Sequence, residues 1–285
     1  MASIASSYPR DDVVAHIEGT RPLVIIHGLF EYSSSLSSLK HMITKAFPKI
    51  QIYIPDLFPG YFSVWTPLWK QVESFNEYLK PIFANTTKNG INLLCFSQGG
   101  IICRGILQTA SNHTVRNFIS LSGPLMGQFG GKNFKIIVTW VVNLSTSDTK
   151  KSIFYSIYGQ KLISIANFWN DPHHQKLYLK YVTYLTALNN QTCHSSSQVF
   201  KSNFLKVKKV ILIGGPDDGV ITPWQSSQFG FYDKHLKIIY IKDFIGLRSI
   251  DKRNDLHLFT IGGVKHKNWH TNATVFNCCI RPFLK

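Results

Sequence analysis

Acidic residues are scarce in this chain: 15 Asp and Glu stand against 31 Lys and Arg, a formal charge of +16 over 285 residues. Such an excess draws anionic partners, whether membranes, phosphorylated ligands or nucleic acid. The basic residues are dispersed, however, with only short clusters such as KVKK (206–209) and KHK (265–267). No nucleic-acid module accompanies them, so nucleic acid is not an expected partner. Long hydrophobic runs are missing as well, and without about 18 consecutive apolar residues no membrane-spanning helix is expected. No internal repeat stands out. The five cysteines cannot all pair within the chain. Charged residues make up only 16% of the sequence against 44% hydrophobic, which calls for a compact fold with a sizeable core. Rings are plentiful, with 20 Phe, 12 Tyr and 6 Trp. Most are expected in the core, and some are available to line an apolar site.

Compartment signals point two ways. The opening MASIASSYPRDDVVAHIEG has no apolar stretch of the kind a secretory signal carries. Five N-x-[ST] sequons nevertheless begin at Asn85, Asn112, Asn143, Asn190 and Asn272, and each is a glycosylation candidate if exposed and secreted.

Strand and helix patterns alternate through the first 123 residues. PLVIIHG (22–28), QIYIPDLF (51–58), INLLCF (91–96) and VRNFISLSG (115–123) read as strands. Between them, residues 33–47, 67–85 and the stretch after Ser97 have helical spacing. That order predicts an α/β fold with a mostly parallel sheet covered on both faces. The pattern breaks at residues 124–205, where helix-like pieces such as FKIIVTWVVNL and QKLYLKYVTYLTAL appear, and strands return at KKVILIGG and LHLFTIGG. A single domain over 1–285 is expected, with 124–205 as an insertion over the carboxyl ends of the strands. Ligands of open α/β sheets bind at that end. A helix is expected over 271–280.

The chemistry centres on CFSQGG (95–100). Ser97 follows an apolar strand and precedes two glycines, the spacing of a nucleophile elbow, although Cys95 replaces the usual first glycine. A serine on that turn is projected above the sheet, and the N–H of Gln98 is available to a developing oxyanion. An ordinary serine cap at a helix start is the bland alternative. The elbow predicts the chain order nucleophile, acid, histidine. GGPDDGV places Asp217 and Asp218 directly after a strand, with an Asp-Gly turn as the bland reading. Three histidines come late enough: His257 inside a strand pattern, and His266 and His270 in the loop after it. Position alone leaves those two open. His27-Gly28-Leu29 after the first strand offers a second oxyanion donor, Leu29 being favoured, with His27 as a loop-positioning residue. DPHH (171–174) and the 266–270 pair lack a metal-binding pattern, so no metal or cofactor is expected.

With Ser97, Asp218 and His270 in view, the chain resembles the palmitoyl-protein thioesterase family, in particular its second, lysosomal type. CFSQGG, ISLSGPLMGQFG, FWNDPHH, LIGGPDDGVITPWQSSQFGFYD and VKHKNWHTNATVFNCCIRPFL carry the resemblance. It implies an α/β-hydrolase fold that cleaves fatty acyl thioesters through an acyl-enzyme, with acyl-CoA among the substrates and transient contact with membrane surfaces. It implies Ser97 as nucleophile, Asp218 as acid and His270 as base, with Leu29 and Gln98 as oxyanion donors and a lysosomal or secreted location. A disulfide between Cys95 and Cys103, bracing the elbow, is expected as well. Phe154 and Ala166 stand where the second type carries a cysteine pair, and Phe259 where Cys279 would find its partner, which leaves Cys193, Cys278 and Cys279 without assigned bonds. An oxygen-ester lipase or carboxylesterase and a non-catalytic lipid-binding protein on the same fold are the alternatives.

Overall fold

The computed structural model describes residues 20–130, 147–192, 194–240, 243 and 245–285. The helix expected over FKIIVTWVVNL, the sequon at Asn143 and Cys193 lie outside the described residues. A six-stranded sheet organises the molecule, with every paired neighbour parallel. Its strands are β1 (Leu23–Ile26), β2 (Ile52–Tyr53), β3 (Ile91–Phe96), β4 (Val115–Leu121), β5 (Lys209–Gly214) and an edge strand, Leu256–Thr260. The spatial order is β2-β1-β3-β4-β5 followed by that edge strand, so the elbow strand β3 lies inside the sheet. A two-stranded hairpin of β6 (Gly230–Tyr232) and β7 (Ile238–Tyr240) stands apart, and the edge strand becomes β8.

Because side chains alternate across a strand, β3 and β4 feed two cores at once. Leu93, Cys95 and Phe118 face one core and Leu94, Phe96, Ile119 and Leu121 the other. The first core packs on α3 (Leu68–Asn85) and α4 (Gln98–Thr109); the second packs on α1 (Ser37–Ala46) and the terminal helical turns of residues 273–283. A short helix, α2 (Phe62–Trp65), precedes α3. Full burial of each Leu or Ile contributes about 1.5–3 kcal/mol, which explains the near-continuous apolar reading of β3.

Between β4 and β5 the chain forms α5 (Ser147–Phe154), α6 (Ile157–Leu162), α7 (Gln175–Tyr181), α8 (Tyr184–Leu188) and α9 (Ser197–Phe204). QKLYLKYVTYLTAL, one helical pattern in sequence, is split at Val182 and Thr183 into α7 and α8. Phe154 and Ala166 are both fully buried, and Phe154 packs on Trp169 with ring centroids 5.3 Å apart. Arg104 of α4 binds this segment from below: its guanidinium donates to the carbonyls of Leu125 (2.6 Å) and Leu188 (2.8 Å). Burial lowers its pKa to about 10, so the side chain remains a cation among carbonyl dipoles.

The close fit of α4 against β1 rests on Gly99. A Cβ there would lie 2.6 Å from the Ile26 carbonyl oxygen and 2.7 Å from that of His27. Backbone atoms cannot swing aside as a side chain can, so Gly99→Ala should destabilise the fold by about 2–3 kcal/mol. Urea denaturation measures it; an unchanged midpoint would show that α4 shifts freely.

Candidate active site

Ser97 sits between β3 and α4 with φ 54° and ψ −126°, a left-handed conformation a non-glycine residue adopts only when its surroundings impose it. Pairing with β1 and β4 fixes the strand below, and α4 fixes the helix above. Gly28 supplies the clearance, since a Cβ there would come within 2.8 Å of the Ser97 Cβ. Cys95 and Cys103 form a disulfide across the turn, with Cα atoms 6.5 Å apart. The cysteine in place of the motif's first glycine is therefore part of the brace that holds the elbow.

The Ser97 Oγ lies 2.8 Å from His266 Nε2, and His266 Nδ1 lies 2.8 Å from Asp218 Oδ2. With Nδ1 facing a carboxylate, that nitrogen carries the proton and Nε2 is left to accept from the serine hydroxyl. The base position expected for His270 is thus occupied by His266. The reason is local: His266 opens the short turn His266–Asn268 and its own N–H donates to the Asp218 carbonyl at 2.9 Å. His270 comes one turn later, where its Nε2 lies 3.6 Å from Glu31 and its buried Nδ1 has no partner among the described residues. Phe96 separates the roles, packing against His266 on one side (5.1 Å) and edge-on to His270 (4.9 Å). His257 is on β8, beside Phe283, away from the serine.

Asp218 is 2% exposed and collects more donors than its position in an Asp-Gly turn suggests. Oδ2 accepts from Ser122 Oγ (2.6 Å) and Trp269 Nε1 (2.6 Å) besides His266, while Oδ1 accepts from the N–H groups of Val220 (2.9 Å) and Ile221 (2.7 Å). Burial pushes this carboxyl up, but the bonds from His266, Ser122 and Ile221 outweigh it and hold the group below the ordinary Asp range. Ser122 and Trp269 escaped the sequence reading. Their signal lay in ISLSG, a serine at the end of β4, and in NWH, a tryptophan whose indole needs a partner once buried. Asp217 instead accepts from the Gly263 N–H at 2.8 Å and holds the neighbouring loop.

The loop after β1 is tied on several sides. The Gly28 N–H donates to Glu31 Oε2 (3.1 Å), the Phe30 N–H to Ser63 Oγ (2.9 Å), and His27 Nε2 reaches the Leu57 carbonyl (3.1 Å). Among the described residues nothing accepts from the N–H of Leu29 or of Gln98. The Gln98 side chain is committed elsewhere: it donates to the Ser63 carbonyl (2.9 Å) and accepts from Ser164 Oγ (2.8 Å). Ser63 and Gln98 thereby link the β1 loop, the elbow and the segment between β4 and β5 in one buried network. A cavity of about 530 Å³ opens over Ser97, walled largely by Leu29, Phe30, Pro124, Phe168, Val220 and Ile221. His174, from the DPHH stretch, bonds Asp171 at 2.7 Å, outside this cavity.

The fold and this constellation define a serine hydrolase built on the α/β-hydrolase architecture. A solved lipase from Bacillus licheniformis, BlEst2, covers 94% of both chains with a TM-score of 0.51 at 17% identity, a likeness of fold. The family model for palmitoyl protein thioesterase matches residues 22–266, and this chain belongs to that family. It is 40% identical over 276 residues to the human lysosomal thioesterase PPT2, covering 94% of this chain and 89% of the relative. A Drosophila melanogaster homologue of PPT2 is 36% identical, covering 93% and 92%. Palmitoyl-protein thioesterase 3 of Dictyostelium discoideum is 32% identical, covering 87% and 86%. The chain is accordingly an acyl-thioester hydrolase of the serine type, working through an acyl-enzyme.

Proposed function

We propose that this protein hydrolyses long-chain fatty acyl thioesters, acyl-CoA and S-acylated peptides among them, with Ser97 as nucleophile, His266 as base and Asp218 as its orienting acid. The observation that carries the roles is the continuous chain Ser97 Oγ–His266–Asp218, with both links at 2.8 Å. As Ser97 attacks the thioester carbonyl, its proton passes to His266 Nε2 and a tetrahedral intermediate forms. The N–H groups of Leu29 and Gln98 donate hydrogen bonds to the carbonyl oxygen as charge develops on it. Collapse expels the thiolate, which takes the proton from the imidazolium. Water then attacks the acyl-serine, giving its proton to His266, and the fatty acid leaves as Ser97 regains its hydrogen. Asp218, ionised throughout, supports the charged imidazole.

The apolar walls of the cavity, Pro124 and Phe168 of the segment between β4 and β5 among them, hold the acyl chain, each buried methylene contributing about 0.8 kcal/mol. Its size falls within the roughly 300–1,000 Å³ of small-molecule sites. Phe30 in the wall packs edge-on against Tyr61, and Tyr61, Phe62 and Trp65 are exposed. Exposed rings of this kind, one of them against the cavity-lining Phe30, suit transient contact with a membrane surface, where acylated substrates reside. The likeness to lysosomal relatives and the sequons support a lysosomal setting; Asn85, Asn112 and Asn190 are exposed, and Asn272 caps the terminal helical turns.

The test is a matched pair of substrates, palmitoyl thioester and palmitoyl oxygen ester on the same head group, with Ser97→Ala as control. The thioester should turn over faster, and Ser97→Ala should lose at least about 10⁴-fold in kcat together with fluorophosphonate labelling. Equal or better turnover of the oxygen ester would replace the thioesterase reading with the carboxylesterase one. A Ser97→Ala variant with full activity would remove the site from this cavity altogether.

A further inference from the structure

A cationic basin lies at the opposite end of the sheet from Ser97. Four adjacent parallel strands, β1, β3, β4 and β5, each begin beside a basic residue: Arg21, Lys88, Arg116, and the pair Lys208 and Lys209. Together with Lys285 these side chains line a cavity of about 670 Å³. No Asp or Glu side chain lines it among the described residues, although Arg21 donates to the Asn89 carbonyl at 3.0 Å and to the main-chain oxygen of Lys285. The nearby Asp255 is taken by Arg253 at 3.0 Å. Cations gathered this way repel one another, and an occupant of opposite charge relieves that repulsion.

Two further features mark the place as built. The pairing of β3 with β4 shifts register between Ile91 and Asn92, so Arg116 occupies a bulge between Val115 and Asn117. Its stem lies against Gly90, where any Cβ would come within 2.6 Å of the Arg116 Cγ. One guanidinium N–H reaches the Lys88 carbonyl at 3.4 Å, which leaves most of that donor fork uncommitted. Second, Leu23, Asn92, Asn117 and Lys209 form one row across four strands, so their side chains share a sheet face. Asn117 and Lys209 line the cavity, and between Leu23 and Asn117 stands Asn92, fully buried with both ends of its amide unpartnered. Burying an amide without a partner is costly, and this one lies one strand from the Asn117 that lines the cavity. The field is felt by a neighbour: burial and then Lys209 lower the proton affinity of His257.

We propose that this basin is a second ligand site, for a soluble, multiply charged phosphate compound of the oligophosphate class. A planar guanidinium beside several ammonium groups matches clustered phosphate oxygens. A phospholipid headgroup offers the same chemistry, but six residues of β3 separate the two ends by about 20 Å. A bilayer held at the basin would face away from the Ser97 mouth and could not deliver an acyl chain to it. The site is independent of the hydrolytic reading, and its test needs no turnover.

Calorimetric titration of the intact protein with tripolyphosphate, with orthophosphate as comparison, reads the site directly. One saturable site is expected, binding tripolyphosphate at least tenfold more tightly than orthophosphate. Arg116→Gln with Lys208→Gln should weaken it at least tenfold while thioester hydrolysis and thermal midpoint stay unchanged. Lys176→Gln with Lys234→Gln, the same charge loss elsewhere on the surface, should change it less than twofold. Should the Arg116 variant lose its fold, Lys88→Gln with Lys208→Gln, both exposed, takes its place with the same expectation. Equal weakening by both pairs would reduce the basin to a diffuse surface field and overturn the proposal. So would an absence of saturable binding, or sedimentation with phosphatidylserine vesicles by a protein that ignores tripolyphosphate.

Discussion

His266→Ala should lower kcat on a long-chain acyl thioester by about 10⁴–10⁶-fold with little change in KM, because it removes the base that the serine touches. His270→Ala should fall by less than about 100-fold, an effect of positioning. The difference follows from where each ring points. His266 closes the link between Ser97 and Asp218, whereas His270 faces Glu31, whose other carboxylate oxygen holds the Gly28 N–H. His270 lines the same cavity, but its Nε2 faces Glu31, so it bears on the reaction mainly through the loop that presents Leu29. Its loss loosens that loop and should appear partly in KM, whereas loss of His266 removes proton transfer itself. Initial rates of the two purified variants over a range of substrate concentrations separate these patterns. Collapse of activity in His270→Ala alone would return the base to that residue and require the loop to rearrange in the working enzyme.

How far the site could be read from sequence depended on the range of the interaction. Ser97 was legible because strand, serine and glycines are contiguous, and the strained turn needs all of them within a few residues. Cys95 and Cys103 were legible because the chain reverses between them. The end of β5 placed Asp217 and Asp218 together, and family register chose Asp218. The two histidines, by contrast, are four residues apart in one loop, and which faces the serine depends on a turn anchored by the Asp218 carbonyl. Family register favoured His270, while the His266–Asn268 turn puts the earlier ring over the elbow. Ser122 and Trp269 belong to different loops and meet only at a carboxylate. The basic basin was least legible: its cations are spread from residue 21 to 285 and converge only because β1, β3, β4 and β5 are neighbours in space. In sequence they read as dispersed charge. Likewise QIYIPDLF carries an extended pattern for eight residues, but only Ile52 and Tyr53 pair with β1. The remainder runs on as the loop whose Leu57 carbonyl holds His27.

Asp218→Asn should cost about 10⁴-fold in kcat while leaving the fold in place, and the cause is the number of donors around that carboxylate. One oxygen accepts from Ser122, Trp269 and His266, the other from two backbone N–H groups. An amide in the same place must turn its NH₂ toward one of these sets. Against the backbone pair, two N–H groups confront a donor. Against the other set, only the Ser122 hydroxyl and the imidazole can answer by becoming acceptors. If the imidazole answers, its proton moves to Nε2, which then points a hydrogen at Ser97 and can no longer act as base. The same variant has a stability signature. Asp218 is held below the ordinary carboxylate range, so its ionised form contributes stability that is fully present above the unfolded value of about 4. That contribution is lost as pH falls through the lower folded-state value. The gap in urea stability between the parent protein and Asp218→Asn should accordingly be widest at pH 5 and above, and narrow toward pH 3. A gap that widened on acidification would mean the carboxyl is buried as the neutral acid. It would then be a donor rather than the acceptor that His266 requires.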